Sequence, residues 1–360
     1  MKIRFCSPIR SQSGYAELGR ILVNQLLHAG HAVGVQEIQV QFGQQDFGPL
    51  AAQAMALVDA VPAPEINIVN MIAPHFERYR LAGAKNIGCT MFESDRLPAD
   101  WVGNCNAMDA IWVPSQWVRE VFIASGVRVP VSVIGVDAVA APYQPAPTEG
   151  PFRLISIFEW SERKNPVGLL RAYCAAFDGD DGVALTLKIS RHPDPKQTLE
   201  FAQGAVAAAL AGAPPARRLP RIDISPNPLS AAQMRLLHER SHAYVSLAHS
   251  EGWGLPPWEA TLAGRPVVHT GWSAPTEFVH PQGLVAHNLA PVYGMAEFVR
   301  FYDSSMNWAD AHLDDAIAKL RALRRDYAGW SETARVHRET ILARYSLQAR
   351  VAQLQAALAA

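Results

Sequence analysis

Glu251 and Glu259 bracket Gly252-Trp253-Gly254-Leu255-Pro256-Pro257-Trp258, a stretch where glycine, proline and tryptophan crowd between two acids at E-x7-E spacing. Gly252 and Gly254 keep such a turn free of side-chain bulk, and a helix beginning after it presents N–H groups suited to an anion. Carboxylates repel phosphate, so both acids fit hydroxyl groups better: Glu251 at the loop entrance, Glu259 inside the helix. Arg163-Lys164 supplies the opposite charge, in Phe158-Glu159-Trp160-Ser161-Glu162-Arg163-Lys164-Asn165-Pro166. Two adjacent cations can clamp a diphosphate, arginine through its fork and lysine as a point charge. Taken together, these residue types suit a phosphorylated, hydroxyl-rich small molecule.

Those groups need a scaffold, and the chain shows one. Short apolar runs alternate with helical-period segments, the pattern of parallel sheets with crossover helices. Strands are expected at Ile3–Cys6, Ala32–Gln36, Ile66–Asn70, Ile87–Met91, Ala110–Val113 and Val131–Ile134, with a helix from Tyr15 to Ala29. Ala138 to Pro151 carries Pro142, Pro145, Pro147 and Gly150 and reads as a linker. Beyond it the alternation restarts. Strands are expected at Phe152–Ile157, Val183–Ile189, Ile222–Ser225, Ala243–Leu247 and Pro266–Thr270, and helices at Pro166–Phe177, Thr198–Ala211, Ser230–Arg240 and Pro257–Ala263. An Ala-, Leu- and Arg-rich segment then closes the chain as helix. The expected division is 1–145, 151–330 and a helical 331–360. In open α/β sheets ligands bind beyond the carboxyl ends of the strands, which is where Arg163, Lys164 and Glu251 fall. His75, Glu93 and Asp95 follow strand-like runs of the first half in the same way, and Ser115 is placed to cap a helix.

The remaining features exclude other chemistry. A net charge of −1 argues against nucleic acid as the main partner. Cys6, Cys89, Cys105 and Cys174 are scattered without metal-ligand spacing and read as reduced thiols. The first residues run directly into a strand without a leader-like apolar stretch, and no run is long enough to span a bilayer, so a cytoplasmic setting is expected. Asp178-Gly179-Asp180-Asp181 contains D-x-D, but it joins a helix to the next strand at the wrong edge of the sheet and reads as a polar turn. There is no G-x-G-x-x-G after the first strand, against a nicotinamide enzyme, and no H-E-x-x-H for zinc.

Ser250 through Val267, with Trp253 where phenylalanine is usual, resembles the E-x7-E signature of family-4 retaining glycosyltransferases of the GT-B fold. The likeness extends to Arg163-Lys164, to Gly135-Val136-Asp137 with Tyr143-Gln144-Pro145, to Trp112-Val113-Pro114-Ser115, and to the loop Ser11–Tyr15. It implies two Rossmann-like α/β/α domains facing each other across a cleft, with the C-terminal helix crossing back to the first. It implies that Glu251 contacts the transferred sugar and Glu259 the ribose. Arg163 and Lys164 take the diphosphate, with Gly14, Gly252, Trp253, Gly254 and Leu255 also on the donor side. The acceptor side would draw on Tyr15, His75, Glu93, Asp95 and Ser115, and Glu277 fits another loop of the site. The implied reaction moves a hexose from a GDP- or UDP-sugar to a sugar, lipid-linked or other hydroxyl acceptor, without metal or other cofactor. The implied setting is bacterial polysaccharide or glycoconjugate synthesis, with peripheral membrane contact compatible. Two other readings share these residues: a nucleotide-sugar epimerase of the same fold, and a catalytically silent sugar-nucleotide-binding subunit.

Overall fold

A computed structural model describes residues 1–39, 47–139, 141–180, 182–211, 218–295 and 300–360. The chain divides into two compact units, Met1–Val139 with Ala343–Ala360, and Ala140–Leu342. In the first, β1 (Lys2–Ser7), α1 (Gly14–His28), β2 (Ala32–Glu37), α2 (Pro49–Met55), β3 (Ile66–Asn70), α3 (Phe76–Tyr79), β4 (Lys85–Cys89), α4 (Ala99–Asn106), β5 (Ala110–Val113), α5 (Gln116–Ala124) and β6 (Val131–Val133) follow one another. All neighbouring strands run parallel, in the order β2-β1-β3-β4-β5-β6. A parallel sheet covered on both faces needs strands that are apolar nearly throughout, as in β5, Ala-Ile-Trp-Val, buried at every residue.

The second unit holds β7 (Phe152–Glu159), α6 (Pro166–Ala176), β8 (Val183–Ser190), α7 (Pro195–Ala211), β9 (Arg221–Ser225), α8 (Ala231–Glu239), β10 (Ala243–Ser246), α9 (Leu255–Leu262), β11 (Val267–Thr270) and β12 (Leu284–Val285). Its sheet order is β12-β11-β10-β7-β8-β9. Counted from its own first strand this is the doubly wound order 3-2-1-4-5-6, which reverses direction between β7 and β10. An antiparallel pair, β13 (His287–Pro291) and β14 (Asn307–Ala311), follows, and then α10 (Leu313–Arg325) and α11 (Tyr327–Arg344). Finally α12 (Leu347–Ala359) packs on α1 within the first unit. The core of the second unit gathers Leu154, Leu169, Tyr173, Leu185, Leu187, Val245, Leu320 and Leu323 on one face of its sheet. No helix among the described residues is long and apolar enough to cross a membrane.

Three differences from the sequence reading have physical causes. The strand expected at Ile87–Met91 begins two residues earlier, because the buried Asn86 side chain is fully engaged. It donates to the carbonyls of Leu81 (3.1 Å) and Ala84 (2.9 Å) and accepts from Asn67 (2.8 Å), so a turn-like residue lies inside the sheet. Helix α9 begins at Leu255 rather than Pro257, since prolines fit a first turn that needs no N–H donors. The β13–β14 hairpin is unannounced: its strands, His-Asn-Leu-Ala-Pro and Asn-Trp-Ala-Asp-Ala, lack the β-branched alternation that marks a strand. The Asp178–Asp180 stretch does lie in the turn before β8, where Asp180 accepts from the Gly182 N–H (2.8 Å); Asp181 is outside the described residues, as is Ala140 of the linker.

Candidate functional site

The reversal point of the second sheet is where two loops leave neighbouring strands in opposite directions and open space between them. After β7, a single 3₁₀ turn, Glu162–Lys164, carries both cations. The turn ends at Asn165, whose left-handed backbone (φ 47°, ψ 53°) lets its side chain cap α6 through the Gly168 N–H (2.9 Å). A Cβ at Gly168 would lie 2.4 Å from the Asn165 Oδ1, so a larger residue there would displace the capping side chain. After β10, the second loop is tied to the first by the His249 N–H, which donates to the Arg163 carbonyl at 2.8 Å.

Three side chains converge there. Arg163 donates through Nη1 to the Ser250 carbonyl (2.8 Å) and to Glu251 Oε2 (3.1 Å), and Lys164 Nζ donates to Glu251 Oε1 (2.5 Å). The side chains are 17%, 16% and 10% exposed, so the charges interact under little solvent screening. Burial, the largest influence, pushes the Glu251 carboxyl up, but Lys164 and then Arg163 together outweigh it and hold its pKa at about 2. The cluster therefore carries one net positive charge in a partly desolvated place, a disposition that attracts an anion.

A third loop, after β11, holds Glu251 from behind. Ser273 Oγ accepts from the Glu251 N–H (3.0 Å), and the Ala274 N–H donates back to the Glu251 carbonyl (3.3 Å). Ser273 does this at φ 63°, ψ −165°, a backbone region that suits glycine, while 1% exposed. Replacing Ser273 with glycine or alanine removes the same hydroxyl, but only glycine relieves the strain. Urea unfolding is expected to show Ser273→Gly more stable than Ser273→Ala by about 1–2 kcal/mol; equal stabilities would mean the backbone there is unstrained.

The two carboxylates of the E-x7-E stretch are kept apart. Glu259, one turn into α9 and 39% exposed, lies 3.1 Å from Nε2 of the buried His238. Trp253 is 4% exposed, its ring against Trp258 (5.2 Å) and Phe278 (5.0 Å), so its side chain seats the loop in the core. Gly254, at φ 90° and ψ 70°, makes the left-handed turn into the helix. Helix α9 offers fewer N–H groups to an anion than an ordinary helix start, because Pro256 and Pro257 occupy its first turn and have none. The positive charge in these loops is that of Arg163 and Lys164. Glu277 ends the 3₁₀ turn Ala274–Glu277 behind Ser273.

The β13–β14 hairpin adds residues that the sequence reading did not single out. His249, buried, shares its Nδ1 with the Ala309 carbonyl (2.7 Å) and stacks on Trp308 at 4.5 Å. Its Nε2 meets the Tyr293 hydroxyl (3.1 Å), which also reaches Asp310 Oδ1 (3.3 Å). Burial lowers the His249 pKa, leaving a neutral ring that pins the hairpin to the loop. Burial, then Asp310, raises the Glu162 carboxyl beside the cations. His249 stands two positions before Glu251 and could have been noticed; Tyr293 and Asp310 had no signal.

In the first unit, sheet order reverses between β1 and β3. Ser13 caps α1 through the Ala16 N–H, placing Gly14 exposed at its start. The Tyr15 hydroxyl meets Thr90 Oγ1 at 2.9 Å, past the end of β4, and the nearby Glu93 adds to the burial that raises its pKa. His75 lies half-buried in a 3₁₀ turn after β3, and Asp95 pairs with Arg96 at 3.6 Å. Ser115, fully buried, spends its hydroxyl on the Val118 N–H (3.1 Å) as the cap of α5.

No family model matches the chain, and neither does any curated protein. Solved structures do. Anabaena HepE in complex with UDP and glucose superposes with a TM-score of 0.67 at 14% identity, over 100% of this chain and 99% of that one. Sucrose-phosphate synthase from Thermosynechococcus elongatus gives 0.67 at 14%, over 99% and 98%. A complex of S. aureus TarM with fondaparinux, α-GlcNAc-glycerol and UDP gives 0.55 at 15%, covering 81% of this chain and 54% of TarM; the chain thus spans about half the length of that relative. Such identities speak to fold alone. The fold is α/β, two units each built on a six-stranded parallel sheet, and it is shared with GT-B glycosyltransferases.

Proposed function

We propose that the chain is a retaining, family-4-type glycosyltransferase that moves a hexose from a nucleoside diphosphate sugar to an acceptor hydroxyl. The observation that carries this reading is the trio Arg163, Lys164 and Glu251, set at the reversal point of the second sheet with its charges within 3.1 Å of one another. Two cations there suit a diphosphate whose charge grows as the bond to the sugar breaks, an electrostatic role of the oxyanion-hole kind. The electrons of the anomeric C–O bond leave with the phosphate, the acceptor oxygen bonds to the same face of the sugar, and its proton passes to a phosphate oxygen. Glu251 contacts the sugar, Glu259 the ribose. Because side-chain cations supply the counter-charge, this scheme gives no step to a metal. Residues 151–330 form the donor side and 1–145 the acceptor side, with Tyr15, His75, Glu93 and Asp95 as acceptor contacts. UDP accompanies HepE and TarM in their structures, which supports a nucleotide donor. A setting in bacterial polysaccharide synthesis fits the same reading.

Thermal shifts against UDP-, GDP- and ADP-sugars test it, because a ligand that binds only the native state raises its melting temperature. One donor class is expected to raise Tm by several degrees, and its nucleoside diphosphate and a new glycoside should appear once an acceptor is added. No shift with any donor would defeat the assignment. Conversion of the donor without an acceptor, to an epimerised free sugar, would turn it to an epimerase.

A further inference from the structure

Lys188, in β8, is only 6% exposed. Among the described residues its Nζ makes a single hydrogen bond, 3.2 Å to the carbonyl of Ile189, the next residue of its own strand. Burial pushes its pKa down to about 8, and no carboxylate among the described residues offsets that effect. A buried cation without a counter-ion is expensive, and an apolar side chain of similar length would fill the same place at less cost.

Register locates it. Lys188 pairs with Ile157 in β7 and with Ser225 in β9, while Ile155 of β7 pairs with Tyr244 of β10. Alternate residues of a strand share a face, so Lys188 lies on the Tyr244 face, the one that feels the charges of Glu251 and Glu259. The opposite face, with Leu185, Leu187 and Ile189, forms the core. Because Nζ reaches the Ile189 carbonyl, one residue short of the last residue of β8, the side chain climbs toward the carboxyl end of the sheet, the end that carries Arg163 and Lys164. It stands one strand farther out than the β7–β10 reversal.

We propose that Lys188 binds the nucleoside part of the donor, its ammonium donating to oxygen acceptors of the base or ribose while Arg163 and Lys164 hold the diphosphate. This rests on the donor site proposed above and deepens it: it makes Lys188 a specificity determinant that favours bases with carbonyl oxygens at the contact.

Lys188→Met and Lys188→Gln, compared with wild type by calorimetric titration of UDP, GDP and inorganic pyrophosphate, test the assignment. Both variants are expected to bind UDP or GDP about tenfold more weakly, and pyrophosphate as before. At pH 7 the Met variant should melt about 3 °C higher, since a buried charge is gone. The lysine pKa is about 8 in the folded chain against 10.5 ordinarily, so between those values the unfolded chain binds more protons. Wild type therefore gains stability as pH rises through that window, and the gap to the Met variant closes. Unchanged nucleotide affinity in both variants, or an equal loss for pyrophosphate, would overturn the role of Lys188 alone. A wild-type protein that binds none of the three probes would overturn the donor site and this role with it.

Discussion

Lys164→Ala is expected to lower turnover about 100- to 1,000-fold and to weaken nucleoside diphosphate binding about 100-fold, with Arg163→Ala somewhat milder. The ordering follows from geometry. Lys164 places its whole charge at 2.5 Å from Glu251, whereas Arg163 divides its Nη1 between Glu251 at 3.1 Å and the Ser250 carbonyl at 2.8 Å. Removing one preorganised group of an electrostatic site typically costs a rate factor of about 10²–10³. Stability should fall, because the buried Glu251 loses one of its two cations, but the turn around Lys164 should keep its shape, held by its backbone: Lys164 N–H to Ser161 (3.1 Å), Asn165 N–H to Glu162 (2.8 Å) and His249 N–H to Arg163 (2.8 Å). Steady-state kinetics with melting curves of each variant decide it. Transfer at wild-type rates in both would remove the cations from the mechanism.

Glu251→Gln should move binding the other way. In the protein as it stands, Glu251 neutralises one of two cations, so an incoming diphosphate competes with an internal anion for the same positive charge. A neutral isostere raises the net charge of the cluster by one, and nucleoside diphosphate is expected to bind about tenfold more tightly. Turnover nevertheless should fall about 1,000-fold, since the carboxylate proposed to face the sugar, and to steady any positive charge developing there, is lost. Stability should drop by about 3 kcal/mol, because two mostly buried cations lose their partner. Opposite changes in affinity and rate are the signature to look for. If the Gln variant binds more weakly than wild type, Glu251 serves to aim the cations instead of competing for them.

The placement of these charged loops is legible in the sequence. Arg163 and Lys164 follow a strand, Glu251 follows another, and the ligand rule for open sheets places both loops on one edge. What spacing does not convey is which of two acids eight positions apart meets the cations. Glu251 does, because it leaves the strand adjacent to β7, while Glu259 is carried one turn into α9 and turns to His238. Trp253 shows the limit again: a conspicuous aromatic inside the signature is buried against Trp258 and Phe278 and anchors the loop through the core.

Local sequence determined most of the strands of the two sheets, many of their helices and which loops carry charge, because apolar periodicity, helix caps and prolines act over a few residues. Tertiary structure decided everything that depends on which strands are neighbours. It set the 3-2-1-4-5-6 order that brings residues 163–164 against residue 251, the hairpin that delivers Tyr293 and Asp310 to His249, and the strained Ser273 that clasps the Glu251 backbone. It also decided the charge state of that carboxylate. Burial alone would push this carboxyl up; it is held near pKa 2 only because folding sets Lys164 and Arg163 beside it.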